Sequence, residues 1–122
     1  MALSSSGFHD ALAYKIIKET DARASTVSNI STAAGKLYSE EVYNPHGYAV
    51  YLKIFFTAGA TLGSTVPDIQ LRVNGVGTEH FEIPSGVEFD ELGFGVSKQP
   101  SMTDTTDPTD TDGDIAVTFI CS

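Results

Sequence analysis

The chain of 122 residues has one cysteine, no tryptophan, few basic side chains and no long apolar run. With Cys121 alone there is no intrachain disulfide, so the fold must hold without one. It reads as a strand-end thiol half covered by packing, and an intermolecular bridge would need an oxidising setting that nothing else indicates. No stretch approaches the roughly 20 apolar residues that span a bilayer as a helix. Met1-Ala2-Leu3-Ser4-Ser5-Ser6 lacks the basic start and apolar block of a secretory signal, so none is expected. Seven Lys and Arg face sixteen Asp and Glu, a net charge of −9. Binding nucleic acid requires a basic surface that displaces counterions from phosphates. Direct contact with nucleic acid or with an anionic membrane surface is therefore not expected.

What is present suits one folded domain. Hydrophobic residues make up 41% and aromatics 10%, too many for a disordered acidic tail. A chain this long hides about two-thirds of the surface its unfolded form exposes, enough for a real core.

The N-terminal stretch is ambiguous. Phe8, Leu12 and Ile16 recur at a spacing of four, which suits a short amphipathic helix, while Tyr14-Lys15-Ile16-Ile17 could equally run extended. Residues 1–22 are read as an arm, extended or as a short helix, that packs on a neighbour. Phe8, Leu12 and Ile16 are its candidate contacts.

Residues 23–122 read as β. Val27 and Ile30 suit an edge strand. Residues 37–43 form the next, closed by the turn cluster Asn44-Pro45-His46-Gly47. Residues 48–57 (YAVYLKIFFT) are the most apolar segment and read as a central strand covered on both faces. Ile69, Leu71 and Val73 alternate with polar residues, the period of a half-buried strand. Asn74-Gly75 then signals a tight hairpin. Its return strand carries Phe81 and Ile83 and ends at Pro84-Ser85-Gly86. Residues 87–89, 94–96 and 114–121 complete about eight short strands. That count, with little helix, predicts an all-β, two-sheet sandwich. Residues 98–114, rich in Asp and Thr, are expected as a solvated loop.

Reactive chemistry is hard to find. Asp110-Thr111-Asp112-Gly113-Asp114 superficially resembles a calcium loop, but the positions that require Gly and Glu hold Ile115 and Cys121. His9, His46 and His80 are too scattered to define a metal site and read as surface histidines, although Glu79 and Glu82 beside His80 allow a pH-sensing role. There is no Gly-x-Ser-x-Gly, and Cys121 has no basic neighbour in sequence to activate it. The fragments Gly75-Val76-Gly77 and Gly93-Phe94-Gly95 do not continue as phosphate loops. Acidic pairs such as Glu40-Glu41 and Asp90-Glu91 are ordinary on β surfaces. Neither catalysis nor a cofactor or metal is expected.

Several stretches taken in order carry a resemblance. They are Lys36-Leu37-Tyr38, Val42-Tyr43-Asn44-Pro45, Tyr51-Leu52-Lys53-Ile54-Phe55, Val66-Pro67, Ile83-Pro84-Ser85-Gly86, Gly93-Phe94-Gly95-Val96 and Asp114-Ile115-Ala116-Val117. Their order across residues 23–120 is similar to small virion proteins of tailed bacteriophages, with the Val42-Tyr43-Asn44 to Ile54 block the most specific part. The resemblance implies a jelly-roll sandwich acting as a head decoration, or cement, protein. Such a protein would be a homotrimer on the outer capsid surface that binds major capsid subunits and stabilises the shell, without catalytic residues. The alternative is a β-sandwich binding module of a phage fibre that recognises host glycans. Tyr43, Tyr48 and Tyr51 cluster near one turn, but the absence of tryptophan, the favoured sugar-stacking residue, weighs against it.

Overall fold

The computed structural model describes residues 3–9, 14–108 and 113–122. Eight strands lie in two antiparallel sheets, and no described residue is helical. They are β1 (Leu3–His9), β2 (Tyr14–Glu19), β3 (Gly35–Asn44), β4 (Val50–Phe55), β5 (Ile69–Val73), β6 (Gly77–Phe89), β7 (Gly93–Ser97) and β8 (Ala116–Cys121). One sheet has the order β1-β2-β8-β3-β6 and the other β5-β4-β7. The expected all-β sandwich is what forms.

Period-two patterning explains the core. Val117, Phe119 and Cys121 on β8 are buried and alternate with half-buried Ala116, Thr118 and Ile120. Phe119 meets Phe94 of the opposite sheet with ring centroids 5.0 Å apart. Leu37, Val42, Leu52, Ile54 and Val96 fill the layer between the sheets, where each sheet hides its apolar face against the other. Cys121 is fully buried rather than half covered.

The strand count agrees with the sequence reading, but the membership differs. Tyr14-Lys15-Ile16-Ile17 takes the extended alternative: β2 pairs with both β1 and β8, and Ile17 is fully buried. A spacing of four places residues on one face of a helix and also on one face of a strand, so it could not discriminate. Residues 22–30 form no continuous strand, yet they run along the edge of β7. Val96 N donates to Arg23 O, Ile30 N to Leu92 O, and Val27 and Phe94 exchange bonds of 2.8 and 3.0 Å. Residues 77–89 are one strand, not two. Residues 83–86 bulge where β3 shifts register between Leu37 and Ser39, and Gly86 sits at φ +75° against the Tyr38 ring and the Lys36 stem, where a side chain would be strained.

Asn74-Gly75 does not make a hairpin. β5 and β6 belong to different sheets, so the turn carries the chain across the sandwich. Buried Asn44 decides this corner: its Nδ2 donates to Tyr48 O, Val73 O and Asn74 O at 2.8, 3.3 and 3.1 Å. Val76 N donates to His46 O across the two turns. A Cβ on Gly75 would lie 2.8 Å from the Gly47 carbonyl carbon, so glycine is needed for the two turns to touch.

Candidate functional site

β2 shows its two faces by alternation. Lys15, Ile17 and Glu19 point inward, while Tyr14, Ile16 and Lys18 lie on the outer face of the five-stranded sheet. Ile16 is half-buried opposite Ile120 of β8, and the Tyr14 ring lies 5.1 Å from that of Tyr38. Of the three candidate contacts, Ile16 is thus placed on an outer sheet face and Phe8 belongs to β1. Leu12 and the Phe8 side chain lie outside the described residues. Tyr14, Tyr38 and Ile120 join Ile16 in a half-buried apolar stripe that the spacing-of-four argument did not include.

Toward β6 the same face becomes acidic. His80 pairs across the strands with Glu41; its Nδ1 lies 3.6 Å from Glu41 Oε2 and its Nε2 lies 3.0 Å from Glu82 Oε1. The bond to Glu82 first, then the surrounding carboxylates, raise the imidazole above its usual range. All three side chains are exposed, so water screens the pairing.

The outer face of the smaller sheet is covered. Lys53 sits in the middle of β4 with no exposure, and its ammonium donates to Ser101 O. Burial lowers its pKa, and nearby Asp104 opposes that shift. Gly95 beside it leaves room for Leu62, which is 5% exposed. Residues 98–108 are therefore a strap over the sheet rather than a free solvated loop. Asp104 accepts from Gln99 N and from Thr106. Its burial would raise the carboxyl, but those bonds and Lys53 outweigh it and hold the pKa below the usual value. Asp107 accepts from Ala24 N at 2.8 Å and from Arg23. Residues 109–112 of the expected acidic loop lie outside the described residues. Among the described ones, no group of three or more His, Cys, Asp or Glu side chains is placed to hold a metal ion.

Two further features bear on chemistry. An open cleft of about 680 Å³ lies at one end of the sandwich, with Phe56 and Phe89 in its walls and Asp68, Glu88, Asp90 and Lys36 around them. Asp68 is committed to Phe56 N, 2.7 Å away, and none of the described residues lining the space carries a thiol or imidazole. The Cys121 thiol is raised by burial, partly offset by Lys15, which leaves it a poor nucleophile. The other feature is Glu40, fully buried with neither carboxyl oxygen hydrogen-bonded. The sequence reading placed it among ordinary surface acids; its strand parity with Val42, which points to the inner face, is the signal that could have found it.

No known family model matches the chain, and no curated protein matches it significantly.

Proposed function

We propose that this chain is a structural protein of a tailed-phage virion, a homotrimer that decorates the outer capsid surface and stabilises it by binding major capsid subunits. The observation that carries the reading, alongside the resemblance of residues 23–120, is the path of the chain between the sheets. With β1 set aside as an added edge strand next to β2, and residues 22–30 counted as the strand beside β7, the remaining strands run β2-β8-β3-β6 and (22–30)-β7-β4-β5. Six of the seven successive connections then cross from one sheet to the other; β4 to β5 is the exception. That double-sheet wrapping supports a jelly roll, an architecture common in viral shells. The polar groups fit the same reading. Asn44, Lys53, Asp104 and Asp107 are spent on holding turns and loops together, as suits a scaffold that works by staying rigid.

The half-buried stripe of Tyr14, Ile16, Tyr38 and Ile120 is the surface assigned to subunit or shell contact. Incubating the purified protein with emptied capsids assembled from the major capsid protein of the same genome tests this. Saturable co-sedimentation at a fixed ratio, with capsids that resist heating better, is the expected result. Ile16→Glu should abolish binding while leaving the circular dichroism spectrum unchanged. Failure to bind such capsids, together with selective binding on a glycan array, would overturn the reading in favour of a fibre module.

A further inference from the structure

Glu40 is difficult to explain as structure alone. It lies on β3 directly opposite Phe119 of β8 and Phe81 of β6. Phe119 is fully buried, whereas Phe81 is 41% exposed at the sheet edge. The carboxyl thus occupies the inner face of the sheet with an aromatic on either side. Both of its oxygens are inaccessible and lack hydrogen-bond partners. An ionised carboxylate in such a place is strongly disfavoured, and the neutral acid is the form that fits.

Among the described residues, no counter-charge offsets this burial. On β6 the neighbours of Phe81 are His80 and Glu82, with Glu79 beyond, and His80 is bound to Glu82. β8 contributes only Cys121, which is itself buried. On β5 the charged residue is Arg72, which donates to the Asn74 side chain. β3 itself carries Lys36 and Glu41, the latter beside His80. Attraction from His80 is the only one of these felt at Glu40, and it is smaller than the effect of burial.

The two flanking strands differ in how easily they yield. β8 is central, held by β2 and β3, while β6 is an edge strand paired with β3 alone and exposed along most of its length. Water reaches the carboxyl at least cost by lifting β6. We propose that Glu40 is a proton-operated latch on the β6 edge: the neutral acid keeps the Phe81 segment closed on β3, and ionisation opens it. Burial pushes this carboxyl up to about 7, which places the transition in the neutral range. The opened state would uncover the β3 ladder and the buried Phe119 row, a surface able to accept a strand.

Hydrogen exchange of the amides in residues 77–82, corrected for intrinsic rates, tests the latch between pH 5.5 and 8.5. Wild type should lose at least tenfold protection as pH rises. Glu40→Gln should hold nearly constant protection, and His80→Gln should keep the wild-type loss. Protection in wild type that does not change with pH, or a loss that survives in Glu40→Gln, overturns the proposal. A loss abolished only by His80→Gln assigns the effect to the surface imidazole instead and also overturns it. Should Glu40→Gln fail to fold, carboxyl-carbon NMR of the wild type decides: a Glu40 midpoint in the ordinary glutamate range refutes the latch, and one near neutrality supports it.

Discussion

Single polar side chains with no surface exposure set the geometry of this molecule. Asn44 donates to three carbonyls that belong to two separate turns. With each such bond contributing about 1 kcal/mol net, and more where a carbonyl is left buried, Asn44→Ala should lose about 2–4 kcal/mol in urea unfolding. A loss below about 1 kcal/mol would show that the corner holds without it. Glu40 acts in the opposite sense. Its folded pKa is raised to about 7 from a usual value of 4.5, so the folded state holds a proton that the unfolded chain has released. Its favourable contribution is complete below pH 4.5 and is lost as pH rises from there through 7, by at most about 3 kcal/mol. Asp104, with a depressed pKa, contributes stability that is lost only as pH falls through its folded value. Melting temperatures measured from pH 4.5 to 8 should therefore decline toward neutrality in wild type. In Glu40→Leu they should be higher at pH 8 and nearly flat.

At the scale of elements, β2 and β6 differ in what they protect. β2 supplies Ile17 to the core and covers one edge of β8. Deleting residues 1–22 removes both and leaves the β8 ladder open, so the truncated chain should aggregate or fail to melt cooperatively. Deleting only residues 1–9 removes β1, whose loss leaves β2 as a new edge. That variant should stay folded, and unfolding of the longer deletion variant as a stable, cooperative domain would contradict this assignment. β6 is guarded as exposed edges commonly are, by Pro84, the bulge at residues 83–86 and Glu79, Glu82 and Glu88. Charges, proline and irregularity discourage a second chain from adding a strand. The strap of residues 98–108 protects the smaller sheet differently, by laying backbone over Lys53. In Lys53→Met the core should hold, since the replacement has a similar shape, while amides of residues 99–106 should exchange faster. Unchanged exchange there would mean that Arg23 and Asp107 suffice to hold the strap.

Across the whole molecule, the pairings are distant in sequence. β2 pairs with β8, β3 with β8 and β4 with β7, so long loops must close before much of the ladder forms. Refolding in stopped-flow fluorescence should relax in milliseconds to seconds rather than microseconds. Light scattering behind size exclusion addresses the proposed assembly: a trimer is the expected mass. With a net charge of −9, copies repel at long range. If the apolar stripe on the five-stranded sheet is the contact, higher salt should strengthen the trimer and Ile16→Glu should weaken it.

The amino-acid pattern by itself determined the class of fold. Alternation in residues 69–73 and 115–121 and the apolar block at 48–57 place strands through local geometry alone, because side chains in a strand alternate faces wherever it pairs. It also carried the inward parity of Glu40 with Val42 and the isolated Lys53 within an apolar strand, both of which flag buried polar groups. Only the tertiary structure decided which strands become neighbours. Asn74-Gly75 can turn a hairpin locally, but Asn44 and Gly47 from a distant turn capture it and send β6 to the other sheet. Residues 22–30 look like an edge strand but bond only intermittently along β7. The Asp-rich segment looks solvated because its partners, Lys53, Arg23 and the Ala24 amide, are remote in sequence. A buried carboxylate or ammonium is a property of what packs over it, and packing is made by residues that no local window contains.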